Sequence, residues 1–456
     1  MQRGAKGLLN TQRRDPGPWI FWALPKGTAD RVCVAAAGLL AVGLHVQPTL
    51  LFAGSLVRFS LSDIIALLLA PFAAWLMFQN RRLLKRIDVR VACGLLALAT
   101  LVMSYGLVIG AQSNGGVTSW ALVKYAGWFV LLYYASLGIL LSLSGGGRVI
   151  TVFAGVFVAI HAALTGIFVV SASLGVGWMG EASPRFSGLM TNPNAYGLSL
   201  LCGIALLLVR SESFAARWPK YSTELLCGVL VAGVLFTRSV GAVAGLIVAA
   251  GIFLIFSGKL VRLLRVLMVA AVVYGLPLAG SSLVKWAGVE QQFDIFGRGI
   301  ADKVVNPDDY AFSWSARLAS NGRALDKWQE APWFGSGLGS FLVAETTRAR
   351  EGVAPLQIHN TLLWLLAELG LVGLMAFAPM ALALLGFLFR SWQELRERDP
   401  PAAQLAIGGV TLLSTWATMS LAHELLYQRV PWFMLGLCLG AALVARSLNC
   451  RERSGH

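Results

Sequence analysis

The sequence predicts an all-α polytopic membrane protein with about twelve transmembrane helices and one large loop on the outer face. Three observations predict it. Hydrophobic residues make up 57% of the 456-residue chain and charged residues only 13%, about half the charged share of a soluble domain. Apolar runs that approach the roughly 20 residues a bilayer crossing needs recur along the chain. Lys and Arg gather in short clusters between those runs, which is the pattern that sets membrane orientation.

The elements follow in order. Residues 1–30 form a basic tail rich in Pro and Gly. Arg13 and Arg14 are followed by Asp-Pro-Gly-Pro, not by an apolar stretch, and no small-residue cleavage pattern appears. The first helix is therefore expected to stay in the mature protein. Nine spans are expected within 31–281, at 31–47, 61–79, 91–110, 120–142, 149–173, 192–210, 223–237, 240–257 and 263–281. A large loop with short helices occupies 282–369. Three further spans, at 370–389, 404–422 and 430–446, fill 370–446, and residues 447–456 form a second tail. Pro71, Pro277 and Pro379 fall inside spans, where proline kinks a helix.

Orientation follows from the basic residues. With the N-terminus inside, most of the 37 lysines and arginines fall on the inner face, so both termini are expected to be cytoplasmic. Each short outer segment holds a single basic residue: Arg58, Lys124, Arg185, Arg238 and Arg429. Topology explains the inner charges. It does not explain the outer ones, which sit against the rule and require another reason.

The formal net charge of +15 raises nucleic acid as a partner, but the basic residues lie in topology clusters rather than on a binding stripe. The six cysteines form no Cys-x-x-Cys pair, and five lie in apolar runs, so they are packing residues. Asp308 and Asp309 are an adjacent pair and a weak metal site. No metal or cofactor is expected.

The outer face carries the candidate chemistry. In the loop, Leu318, Leu325 and Trp328 share one helical face, which suggests an amphipathic helix lying at the membrane surface, with Arg323, Asp326, Lys327 and Glu330 off the stripe. The run Ala331–Gly339 has three glycines in five residues, Gly335, Gly337 and Gly339. These free the chain for a tight turn or a close approach to a ligand. Asn360 is a natural N-cap for the apolar run that follows, which puts His359 at a helix N-terminus. There the dipole disfavours imidazolium, and a neutral ring can act as a general base or simply anchor the helix end. His161 lies mid-span with no obvious partner and reads as a packing residue. Asp63 is placed to pair with Arg58. His423 and Glu424 are adjacent at another outer helix end. Arg185, Arg238, Arg317, Arg323 and Lys124, with His359, suit a phosphate-bearing leaving group handled without metal. No Ser or Cys nucleophile elbow is present.

At these residues the chain resembles the O-antigen ligase and polymerase superfamily. The matching pieces are Arg185-Phe-Ser-Gly-Leu-Met-Thr-Asn-Pro-Asn194, Thr237-Arg238-Ser-Val-Gly241, Asn321-Gly-Arg323 through Trp328 and Pro332 to Gly335-Ser-Gly337, and His359-Asn360 through Glu368-Leu-Gly370. Together they cover roughly residues 180–390. The resemblance implies a fold like the C-type membrane glycosyltransferases, in a bacterial inner membrane with the site on the periplasmic face. It implies metal-independent transfer of a glycan from undecaprenyl diphosphate to an acceptor hydroxyl. The acceptor is a lipid A core in a ligase, or a second lipid-linked glycan in an O-antigen or exopolysaccharide polymerase. Besides these substrates, the implied partners are membrane lipids. It gives Arg238 and Arg323 catalytic places beside a diphosphate, and His359 that of the base. Arg185, Arg317, Lys124, Asn194, Asn360 and Gly337 are expected to bind diphosphate or glycan. One feature departs from the family: its turn often reads Ser-Arg-Gly, whereas here Ser239 and Val240 separate Arg238 from Gly241. A lipid-linked oligosaccharide flippase is the reading from a different class. It requires a cavity reaching the midplane from both sides, and transporters of that kind often carry internal repeats; no repeat between the halves is evident.

Overall fold

The computed structural model describes residues 26–47, 49–52, 55–81, 87–174, 185–190, 192–215, 221–286, 307–350 and 357–454. In chain order the elements are α1 (Lys26–Gly43), β1 (Thr49–Phe52), β2 (Ser55–Arg58), α2 (Leu61–Leu68), α3 (Ala70–Gln79), α4 (Ile87–Ser113), α5 (Ser119–Ser173), α6 (Pro193–Ala215), α7 (Ser222–Phe236), α8 (Val240–Ser257) and α9 (Leu260–Trp286). Then come α10 (Pro307–Glu330), α11 (Ser340–Arg350), α12 (Thr361–Leu395), α13 (Pro400–Ser420) and α14 (Arg429–Ser454). The described residues are helical apart from the short antiparallel hairpin β1–β2, in which Thr49 is the register partner of Arg58.

Every expected span overlaps an apolar helix or half-helix. Among the described residues, six helices qualify as crossings by length and hydropathy, or seven if α2 and α3, bent by 52°, form one. The number is below twelve because α7 and the stretch Pro193–Leu207 of α6 are short, α5 carries two apolar runs in one element of 55 residues, and α1 and α13 do not qualify. α5 breaks at Gly146, between those runs, where the backbone is left-handed (φ 55). Pro71 acts as expected of a proline near a helix start: it sits in the first turn of α3, just past the bend at Leu69. Large apolar side chains face outward, among them Leu68 at 75% exposure and Ile255 at 78%. Such a surface requires lipid around it, and this is a membrane protein.

The bundle centres on α5, which packs against α1 and α14, while α7 lies on α9 and α13 joins α8 to α12. Trp128, Trp416 and Trp432 meet edge to face in its middle. The cysteines Cys33, Cys202, Cys227 and Cys438 are buried and Cys93 is exposed; all five are free thiols, as their apolar setting implied. His161 is not without partners. Its ring lies 4.4 Å from that of His45, and its Nε2 is 3.0 Å from the Ser199 hydroxyl. Sequence spacing hid this pair because His45 lies far away in the chain, in the turn after α1.

α12 breaks at Gly370 (φ 67, ψ −164). A break inside an apolar helix strands backbone donors and acceptors, and in a membrane these must find partners within the protein. The segment 332–338 supplies them. Leu371 and Val372 donate to the carbonyls of Pro332 and Trp333, at 2.9 and 3.0 Å. Ser336 and Gly337 in turn donate to the carbonyls of Ala367 and Glu368, also at 3.0 and 2.9 Å. The segment lies so close to α4 that a Cβ on Gly337 (φ 88) would overlap the backbone of Gly110. The glycines of this run serve a backbone-to-backbone seam, which fixes the short first half of α12 in place.

Candidate active site

The chemistry-bearing residues gather at one end of the bundle, where α6, α8 and α12 begin and α7 ends. Arg185 approaches from the segment before α6. Its Nε donates to the Thr237 carbonyl at 3.0 Å and a terminal nitrogen donates to Asn194 Oδ1 at 2.9 Å. Thr237 closes α7, so Arg185 satisfies a carbonyl that the helix end leaves open. Asn194, in the first turn of α6, thus aims Arg185. The Arg185 guanidinium is pushed down to about 10, first by burial and then by the nearby charges of Arg317 and Arg238.

Arg238 forms the turn between α7 and α8. It takes a left-handed backbone (φ 52), which costs a non-glycine residue about 1–2 kcal/mol. The next residue, Ser239, caps α8 by accepting the Ala242 N–H at 3.2 Å. The inserted Ser239 and Val240 therefore restart the helix at once, and Arg238 itself takes the strained position. Strain of this kind at a charged residue is a mark of functional sites.

α10 extends well before the amphipathic stretch that holds Leu318, Leu325 and Trp328, and it docks on the protein by a face other than that stripe. Leu318 and Leu325 are exposed, whereas Ser320 and Ala324 are buried. The apolar stripe points away from the protein, and the helix docks by its small residues. Arg317 lies one turn before Ser320 on that docked side, and its charge bears on both Arg185 and His359. Arg323 lies elsewhere on the helix and is paired with the buried Glu345 of α11 at 2.5 Å.

His359 immediately precedes Asn360, which caps α12 as expected: its Oδ1 accepts from Leu362 and Leu363 at 2.9 and 3.2 Å. The Asn360 side chain is thus held by the helix end. The His359 ring is open to solvent on one side and bordered by protein on the other. It is held below its ordinary value first by that desolvation and then by the Arg317 charge, while Glu424 acts in the opposite sense. A neutral imidazole results, which can accept a proton.

Lys124 sits deeper. Its Nζ is 3.2 Å from both oxygens of Glu368, 3.7 Å from Glu424 and 4.7 Å from the centre of the Trp364 ring. Glu368 is fully buried and also accepts the Gly339 N–H at 2.9 Å. Lys124 is therefore neutralised by carboxylates and ties α5 to α12, while Glu368 ties the glycine run to α12. Arg429, another cation expected at the outer face, donates to Asp63 at 2.7 Å. Asp63 also accepts from Tyr134 at 2.9 Å, so its pairing is with α14; the side chain of Arg58, the expected partner, lies outside the described residues. So do the side chains of Asp308 and Asp309, residues 1–25, 287–306 and 351–356, and the end of the second tail.

The structure thus brings Arg185, Arg238, Arg317 and His359 together. Arg323 and Lys124 have carboxylate partners, and Gly337 uses its N–H within the fold. The sequence reading missed Glu345; its only signal was an acidic residue in an outer loop already rich in arginine. Glu424, the neighbour of His423, stands 3.7 Å from Lys124, and its charge bears on His359. Among the described residues no group of three or more metal-ligating side chains converges.

A family model described as O-antigen ligase matches residues 225–378. The stretch runs from α7 to the middle of α12 and holds Arg238, Arg317, Arg323, Gly337, His359 and Asn360; Lys124, Arg185 and Asn194 precede it. The match supports the O-antigen ligase-like superfamily and with it a membrane glycosyltransferase of the ligase or polymerase type. No curated protein matches the chain.

Proposed function

We propose that the protein transfers a glycan from undecaprenyl diphosphate to an acceptor hydroxyl on the periplasmic face of the bacterial inner membrane. On this reading the twelve apolar segments all cross, both termini are cytoplasmic, and 282–369 is a periplasmic cap. The observation that carries the proposal is the gathering of Arg185, Arg238 and Arg317 from three separate segments, beside His359. Like charges repel, and a cluster of guanidinium groups is favourable when an anion of matching charge joins it.

The reaction follows from this geometry. The diphosphate lies against Arg185, Arg238 and Arg317. The acceptor oxygen attacks the anomeric carbon, the carbon–oxygen bond to the diphosphate breaks, and the bonding pair leaves with the diphosphate. The arginines stabilise the negative charge that develops there. His359 takes the acceptor proton. Arg323, placed among the catalytic residues by resemblance, holds α10 to α11 through Glu345. Lys124 and Glu368 keep the first half of α12, and so His359, in position. No metal is required, because the cations are supplied by the chain.

The acceptor is a lipid A core, which makes the protein a ligase. The test is an assay with purified protein and lipid-linked glycan, with and without lipid A core. Product on the core supports the ligase; elongated lipid-linked glycan without the core makes it a polymerase. Movement of donor across a vesicle membrane with no new glycosidic bond overturns transfer in favour of a flippase.

A further inference from the structure

At the opposite end of the bundle, a pocket of ≈ 320 Å³ lies between the ends of α8, α9, α12 and α13. Phe253, Phe256 and Trp392 give it an aromatic wall, and Lys259, Arg262 and Arg396 surround it with positive charge. We propose that this pocket binds the headgroup of an anionic phospholipid. Lys259 and Arg396 hold the phosphate, and the aromatic wall receives the start of an acyl chain.

Four observations carry this. The Arg396 guanidinium stands 5.7 Å from the Trp392 ring centre, and that of Arg262 stands 6.0 Å from Phe253, so charge and aromatic surface occupy the same pocket. Arg262 is partly answered by Glu224 at 3.4 Å. Among the described residues, the one ion pair of Arg396 is an exposed contact with Glu397 at 3.8 Å, a pairing that contributes little in water. Two helices begin at the pocket, α9 after Lys259 and α13 at Pro400, and helix N-termini favour anions. Gln404 also lines it, and its buried Oε1 has no hydrogen-bond partner among the described residues; an acceptor of that kind suits a headgroup bearing hydroxyls, as in phosphatidylglycerol.

Membrane topology accounts for basic residues at this end. It does not account for a pocket with an aromatic wall and a buried acceptor. A lipid fits better than free phosphate because the surface alongside is apolar and exposed, with Ile255 at 78% and Val261 at 62%. Basic pockets between membrane helices are a recurring form of anionic lipid site.

The experiment uses the full-length protein, delipidated in a neutral detergent, with short-chain phosphatidylglycerol, short-chain phosphatidylcholine or inorganic phosphate added. Binding is followed by the saturable rise of the unfolding temperature. Phosphatidylglycerol is expected to raise it, and the other two are not. Lys259→Gln with Arg396→Gln weakens phosphatidylglycerol at least tenfold. Arg81→Gln with Arg148→Gln removes the same charge from other inner-end positions and changes affinity less than twofold. Gln404→Leu keeps every charge and weakens binding roughly threefold to tenfold, as loss of one hydrogen bond should. Equal weakening by the control pair shows diffuse surface charge and overturns the site. An equal effect of phosphate alone, or none of phosphatidylglycerol, overturns the lipid assignment.

Discussion

Replacing His359 by alanine separates its two possible uses, because the structure assigns them different costs. The residue is open to solvent on one side, so removal of the ring deletes little packing. Substitutions at such positions usually change stability by no more than about 0.5 kcal/mol. The cap that holds α12 belongs to Asn360, whose Oδ1 takes two backbone donors and is untouched by the change. A base that removes the acceptor proton contributes about 10²–10⁴-fold in rate, or about 2.7–5.5 kcal/mol at 1.36 kcal/mol per decade. His359→Ala is therefore expected to lose two to four decades of turnover while its unfolding temperature and donor affinity stay near wild type. The assay is turnover per folded molecule, from fluorescence-detected size exclusion and product formation, with donor binding measured in parallel. The acid side of the pH profile gives a second reading. The neutral ring is the competent form and burial and Arg317 lower its pKa, so activity persists below the usual histidine range and falls as pH drops through the lowered value. Arg317→Gln removes one lowering cause and moves that limb to higher pH; Glu424→Gln removes the opposing one and moves it lower. Wild-type turnover per folded His359→Ala molecule would refute the reasoning and leave His423 as the next candidate.

Arg238→Lys keeps the charge but loses the fork that grips two phosphate oxygens; a loss of about 1.5–3 kcal/mol of transition-state binding is expected in kcat/KM. Arg238→Gly relieves the left-handed backbone and should raise the unfolding temperature by the equivalent of about 1 kcal/mol while abolishing turnover. Lower stability in the glycine variant would show that the turn is not strained. Glu368→Gln leaves the Lys124 ammonium without its buried partner and should destabilise the protein by about 3–5 kcal/mol. Lys124→Met with Glu368→Leu should recover most of that in a thermal-shift assay. Asn360→Ala should cost about 1 kcal/mol of stability through the lost cap, with a fall in turnover that exceeds the loss of folded protein if the cap also aims His359.

The amino-acid pattern by itself determined which segments form apolar helices. Burial of about 20 apolar residues in lipid is a local, one-dimensional requirement, and so is the Asn360 cap ahead of Thr361. For the same reason the anomalous outer cations were legible: each breaks a rule written in loop composition. Only the tertiary structure decided which of those cations belong together. Lys124 and Glu368 are 244 positions apart, and Asp63 meets Arg429 across 366; no periodicity links such pairs. Their neutralisation sets Lys124 and Arg429 aside as structural. Arg317 and Arg323 looked alike in the sequence, yet one turns toward Arg185 and His359 and the other toward Glu345. The glycine run that resembled a ligand loop proved to be the partner of the break at Gly370, because the open backbone groups of a helix are satisfied by whichever segment the fold brings alongside. Side-chain direction around a helix and pairing across hundreds of residues are properties of packing, and packing is where this site was assembled.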